Sequence, residues 1–340
     1  MPARIRRRWQ IAALAGFILA VAGIAALLIW SDQPHVRYAS APCLYEKTFA
    51  QGGQVDIAVI GTSRAKMGIS PSSLSAGLPG DPTVVNLARS WRGSDVMLQQ
   101  LRDLDTERGI SEAIVVEYSR EGNVFATTQR YYDHHPEHAA LMPLVRLLED
   151  PAYKPREPRY LRLRDLLGFG LERFAFAFDR LIDRSATRNA VLPPAERPIA
   201  GSDGCTGPDR DFNQGALDSW EKKVLRKVDR WDERDPIRPA WNRINDDNQR
   251  EAIRRMVAFA DERDIPIYFV WFPRYLDPPV EQGFAERFER AFGAPLLIPP
   301  PDVLAALYEG GYSDPNHLYE PGREVYTRWL ATQIGGVDTP

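Results

Sequence analysis

Three residues of this chain have side chains that could together generate an acyl-transfer nucleophile: Ser63, Asp314 and His317. A serine hydroxyl is a weak nucleophile near neutral pH. It needs an imidazole to take its proton and a carboxylate to hold that imidazole in the matching tautomer. Asp314-Pro315-Asn316-His317 offers both partners in one local segment close to the C-terminus. Ser63 comes from far upstream, in Val55-Asp-Ile-Ala-Val-Ile60-Gly61-Thr62-Ser63-Arg64. Either segment alone would be a weak signal. Their combination, a serine just after an apolar run and a DxxH just before a terminal helical stretch, is more specific.

The elements that must position these groups are legible as alternating patterns. Residues 55–60 form an apolar run of strand length, and Gly61 permits the tight turn that would lift Ser63 off the end of a sheet. Residues 83–86, 113–118, 265–271 and 295–298 read as further strands, and 95–108 and 248–264 as helices. In the second helix Ile253, Met256, Val257 and Ala260 recur at helical spacing. Residues 324–331 read as a helix that would anchor the His317 loop. Strand alternating with helix predicts an α/β fold, a parallel sheet covered on both faces, with ligands at the carboxyl ends of its strands. Residues 124–245 interrupt this rhythm with proline-rich and charged stretches. Within them 161–182 looks helical, and its Leu166, Leu167, Phe169, Phe174, Phe176 and Phe178 read as core before they read as a substrate platform. An insertion of this length could cover the active site or dock on a membrane partner.

Arg4, Arg6, Arg7 and Arg8 precede residues 9–30, an apolar stretch with no charged residue. At about 1.5 Å per residue it reaches roughly 30 Å, the thickness of a bilayer core. Arginines before the span and Asp32 after it predict a cytoplasmic tail at 1–8, a transmembrane anchor at 9–30, a linker at 31–54, and the rest of the chain outside. Ala39-Ser40-Ala41 would suit signal cleavage, but the apolar run exceeds the roughly 7–15 residues of a signal core, so an uncleaved anchor is the expectation.

The 340 residues carry a net charge of −3 with no long basic stripe beyond the N-terminal arginines, which argues against nucleic acid as a partner. Cys43 and Cys205 are the only cysteines. Outside the cytoplasm they are free to pair as a disulfide, though two cysteines alone leave open whether they meet. His134, His135 and His138 beside Pro136 meet no familiar zinc spacing, so no metal or other cofactor is expected. Arg64 and Arg89 are the charges placed to face the site, either to contact an anionic sugar or to pair with a carboxylate.

Gly61-Thr62-Ser63 and the closing Asp314-x-x-His317-Leu318, with Gly322 five residues after the histidine, resemble the first and last sequence blocks of the SGNH (GDSL-type) hydrolase superfamily. The resemblance is closer to its membrane-anchored, extracytoplasmic branch, which includes proteins that acylate alginate, cellulose and teichoic acids. It implies a three-layer α/β/α, flavodoxin-like domain over residues 55–335, with Ser63 as nucleophile, His317 as general base and Asp314 as its orienting partner. It also implies an oxyanion hole made by the amide of Ser63, an amide at Ala88 or Gly93, and the side chain of Asn123. Family members carry Gly-x-Asn-Asp in the third block; this chain has 113–123 instead, and Asn123 is the candidate donor there. The function implied is O-acyl transfer, with acetyl the expected group, to an exported polysaccharide or cell-wall polymer in the periplasm, supplied by a multi-pass membrane acyltransferase as partner. A carbohydrate esterase of the same fold, or a non-catalytic subunit of a polysaccharide assembly complex, are the alternatives.

Overall fold

A computed structural model describes residues 3–31, 33, 48–49, 52–88, 94–118, 213–226, 228–237 and 246–336. The chain divides into two compact units, Met1–Tyr45 with Thr128–Ile199, and Glu46–Thr127 with Ala200–Pro340.

In the first unit, α1 (Ala3–Ser31) is one continuous helix of 29 residues. Its large apolar side chains stand in the open: Phe17 is 67% exposed and Leu19 72%. Among the described residues no helix is long and apolar enough to cross a membrane. In α1 those residues leave out several side chains of the 24–29 stretch, so they do not cover the whole apolar run of the sequence.

The second unit is built on a parallel sheet. Its strands are β1 (Val55–Ile60), β2 (Val84–Asn86), β3 (Ile110–Tyr118), β4 (Ile267–Trp271) and β5 (Leu296–Leu297), in the order 2-1-3-4-5. Every pairing is parallel, with Val59 opposite both Asn86 and Val115, and Glu117 opposite Val270. Strands of a sheet covered on both faces read as near-continuous apolar runs instead of alternating, which is the character of Ile-Ala-Val-Ile in β1 and Ile-Tyr-Phe-Val-Trp in β4.

Helices cover both faces. Between the strands run α2 (Ser63–Gly68), α3 (Pro71–Ala76), α4 (Ser94–Glu107), α5 (Gln214–Val224), α6 (Asp246–Asp261) and α7 (Phe284–Phe292), and after the last of them come α8 (Pro301–Tyr308) and α9 (Glu320–Gly335). Successive strand residues point to opposite faces. Ile57, Val59, Val115 and Val270 therefore cluster with Ala65 of α2, Ile69 just after it, Leu74 of α3, Leu307 of α8, and Tyr326 and Leu330 of α9. On the other face Tyr118 packs edge-on and Phe269 at a tilt against Phe288 of α7, and α6 packs against both α4 and α7. Ile253, Met256, Val257 and Ala260 of α6 are buried, as their spacing predicts.

The order 2-1-3-4-5 reverses direction between β1 and β3, and in doubly wound sheets the crevice at the carboxyl ends of such a pair is where ligands bind. Ser63 follows the end of β1.

The five sheet strands fall where the sequence places them, within a few residues at each end. The structure adds a two-stranded antiparallel hairpin, β6 (Tyr312–Asp314) and β7 (His317–Leu318), just ahead of α9. Tyr-Ser-Asp and His-Leu hold no apolar run of the kind that marks the short strands β2 and β5. The predicted helix at 161–182 lies outside the described residues.

Candidate active site

Ser63 is the first residue of α2, and a packed turn joins it to β1. Gly61 occupies a point where a Cβ would come within 2.6 Å of the Ala65 Cβ and 2.7 Å of both the Cβ and Oε2 of Glu117. Only glycine fits between the helix and the next strand. Thr62 then caps α2, its hydroxyl accepting from the Arg64 amide at 3.4 Å. On the other side of the turn, Asn86 at the end of β2 donates its amide to the carbonyls of Ala65 and Ile69, both at 3.1 Å, and so ties α2 to the sheet.

The hairpin presents the other two residues. Asp314 and His317 are cross-strand partners, separated by the Pro315-Asn316 turn. Asp314 Oδ1 accepts from the Asn316 amide at 2.8 Å, a local side-chain turn that orients the carboxylate. The hairpin is held from several sides. The Tyr275 amide donates to the Pro315 carbonyl at 3.0 Å, the Asn213 amide ahead of α5 to the Ser313 carbonyl at 2.9 Å, and the Ser313 hydroxyl to the His317 carbonyl at 3.2 Å. Behind it Gly322, in the first turn of α9, lies against Gly311, and a Cβ there would come within 2.6 Å of the Gly311 Cα. The glycine that follows the DxxH is thus explained by close approach of two backbones.

These two halves meet. Ser63 Oγ lies 2.8 Å from His317 Nε2, and His317 Nδ1 lies 2.8 and 2.9 Å from the two carboxylate oxygens of Asp314. The His317 side chain is 9% exposed and that of Asp314 16%, while Ser63 is half-buried. A carboxylate at Nδ1 favours the tautomer with the proton there, which leaves the Nε2 lone pair facing the serine hydroxyl.

An acyl-transfer site also needs donors for the developing oxyanion. In the turn that begins α2, the amides of Thr62, Arg64, Ala65 and Lys66 all donate to protein acceptors. Among the described residues nothing accepts from the Ser63 amide, which leaves it available. The Ala88 amide donates to Asn86 Oδ1 at 3.0 Å and is engaged in that bond. Gly93, Asn123 and Arg89 lie outside the described residues, as do Cys43, Cys205 and the histidines at 134, 135 and 138. Arg64 is buried, at 9% exposure, with its charge acting on the Tyr312 phenol. Among the described residues no group of three or more His, Cys, Asp or Glu side chains could hold a metal ion.

The chain matches no protein-family model and no curated protein.

Sequence reasoning missed Glu117. It is 1% exposed, and its carboxylate accepts from the amides of Thr62 (2.6 Å) and Ala65 (3.2 Å) and from the Thr62 hydroxyl (2.9 Å to each oxygen). The signal was a lone acidic residue among the apolar residues that end β3, at the carboxyl edge of the sheet. Three buried phenols frame the hairpin as well. Tyr308, Tyr312 and Tyr326 donate to the carbonyls of Asp277, Pro273 and Trp271 at 2.9, 3.0 and 2.6 Å. Burial pushes all three well above the ordinary phenol range, with the Asp277 charge adding to the shift of Tyr308 and Tyr312 and the Glu117 charge to that of Tyr326.

Proposed function

We propose that this chain is a serine-dependent acyl-transfer enzyme of the SGNH type, with a flavodoxin-like catalytic domain. The observation that carries the reading is the continuous hydrogen-bonded chain from Ser63 through His317 to Asp314 at the carboxyl edge of the sheet. The Ser63 oxygen attacks the carbonyl carbon of an acyl ester or thioester while His317 Nε2 takes the hydroxyl proton. The tetrahedral oxyanion is held by the Ser63 amide and further donors, and the leaving group departs with the proton from His317. An acceptor hydroxyl then gives its proton to His317, attacks the acyl carbon and releases Ser63, which regains the proton.

The acceptor is a sugar hydroxyl of an exported polysaccharide or cell-wall polymer, and the acyl group is acetyl. Support for this comes from the N-terminus. The apolar run at 9–30, preceded by Arg4, Arg6, Arg7 and Arg8, suits a single-pass anchor in a bacterial cytoplasmic membrane with the catalytic domain in the periplasm, where acyl donors arrive through the membrane. A multi-pass acyltransferase would supply them.

The test is covalent labelling of the detergent-solubilised full-length chain with a fluorophosphonate probe. Labelling of wild type that is lost in Ser63→Ala and in His317→Ala is the expected result. A folded wild type that never labels overturns the reading in favour of a non-catalytic subunit. Acetyl-donor consumption with and without an oligosaccharide acceptor then separates transfer from hydrolysis. Acetate as the sole product in both cases would make the protein an esterase.

A further inference from the structure

We propose that Glu117 is a positioning residue for the nucleophile, a buried clamp that fixes the turn carrying Ser63 to the neighbouring strand; the inference rests on the acyl-transfer reading of that serine. A carboxylate at 1% exposure is costly unless its oxygens are matched by donors. Here, among the described residues, every donor it receives comes from the two residues that bracket Ser63 at close range, Thr62 before it and Ala65 after it.

The bonds have three consequences at the serine. They fix the backbone on both sides of Ser63 to β3, one strand over from the β1 that leads into the turn. They consume the amides of Thr62 and Ala65, leaving the Ser63 amide as the donor of that turn without an acceptor among the described residues. They also bring the carboxylate to within 2.7 Å of where a Gly61 Cβ would stand, so that Gly61, Thr62 and Glu117 must be chosen together. Thr62 fits because its hydroxyl can donate to the carboxylate while accepting from Arg64. An acid at position 62 would set two carboxylates against each other.

Three variants test this in the full-length chain: Glu117→Ala, Glu117→Gln and Thr62→Asp. Glutamine keeps the shape and can keep the clamp, its oxygen accepting from the two amides while its NH2 donates to the Thr62 hydroxyl. Two readouts are needed, the fluorophosphonate labelling rate and amide hydrogen exchange resolved at residues 62–65. In wild type the amides of Thr62 and Ala65 should be protected and that of Ser63 should exchange freely. Glu117→Ala should expose the first two and slow labelling roughly 100-fold, the scale of a 1 Å misplacement. Glu117→Gln should keep the protection and label within about tenfold of wild type, a rescue that generic destabilisation would not produce. Thr62→Asp should lose labelling and regain it in the double variant with Glu117→Gln.

Unchanged protection and labelling in Glu117→Ala overturn the clamp. Should Glu117→Ala not fold, the pair Thr62→Asp and its double variant decides, and absence of rescue overturns the proposal. If wild type itself does not label, the acyl-transfer reading falls separately, and the clamp stands or falls on the exchange of Thr62 and Ala65.

Discussion

Adding one methyl group at Gly61 tests the site more sharply than removing a catalytic atom would. In Gly61→Ala the new Cβ would sit 2.6 Å from the Ala65 Cβ and 2.7 Å from the Glu117 Cβ, against an ordinary contact of 3.4 Å or more. The deficit is about 0.7 to 0.8 Å. Neither neighbour can swing away, because both are β-carbons fixed to backbone, one on α2 and one on β3. Relief must come from moving α2 off the end of the sheet. That motion stretches the Thr62 and Ala65 bonds to Glu117 and opens the 2.8 Å contact between Ser63 and His317.

Overpacking of this kind costs about 1–3 kcal/mol. For a unit of this size that lowers Tm by about 2–4 °C per kcal/mol, so a fall of about 2–12 °C is expected. Displacing the serine by most of an ångström should slow acyl transfer by roughly 100-fold, far more than the stability loss alone would suggest. The assay pairs thermal unfolding with the rate of fluorophosphonate labelling on the same preparation. A Gly61→Ala protein that melts within about 1 °C of wild type and labels within about threefold of it would refute the packing argument, since the turn would then have slack that these distances exclude.

Asp314→Asn should leave the fold intact, since the asparagine oxygen can still accept from the Asn316 amide, yet cut acyl turnover by about 10⁴-fold by favouring the wrong imidazole tautomer; turnover within tenfold of wild type would remove Asp314 from the mechanism. Gly322→Ala should destabilise by about 1–3 kcal/mol, because the added Cβ meets the Gly311 backbone with no flexible atom to yield; an unchanged urea midpoint would contradict this. The buried phenols give a pH signature. Their folded pKa values lie above the unfolded value near 10, so their contribution is complete below about pH 10 and is lost as pH rises further, by up to about 4 kcal/mol per pH unit for the three together. Urea unfolding between pH 9 and 11.5 would show the fall, and Tyr326→Phe should remove about a third of the slope; a flat profile, or an unaltered slope in that variant, would count against it.

The sheet was legible because its three central strands, β1, β3 and β4, are largely apolar runs of 6, 9 and 5 residues, and its larger helices repeat at the helical period. Val55–Ile60 is recovered residue for residue, and α6 turns its four spaced apolar residues inward. Ser63, Asp314 and His317 were legible because their chemistry is distinctive and their neighbours, a glycine turn and a terminal helix, have local signatures. What escaped depends on contacts between distant segments. Hairpin strands of three and two residues gain their form from α5, α9 and the loop after β4, and no local window reports that. Glu117 is an ordinary residue in sequence and acquires its role only when β3 is laid beside β1. The bond from the Ala88 amide to Asn86 Oδ1 is local, yet a side-chain turn of this kind leaves no period in the sequence.

The 2.8 Å contact between Ser63 and His317 joins segments 254 residues apart, and its accuracy has a structural source. Ser63 is referenced to β3 through Glu117. The hairpin and the helix behind it are referenced to the end of β4, because Tyr326 of α9 donates to the Trp271 carbonyl and Tyr312 of β6 donates to that of Pro273. Strands β3 and β4 are direct neighbours in register, with Glu117 opposite Val270 and Tyr118 opposite Trp271, and the Phe272 amide continues the ladder to the Tyr118 carbonyl at 3.0 Å. Ser63 and His317 are therefore each held by one buried side chain or a few to adjacent rungs of the same sheet. Errors in the long connections between them do not propagate to the site. This explains why a half-buried serine and a histidine on a two-residue strand can keep a hydrogen-bonded geometry across 254 residues of sequence.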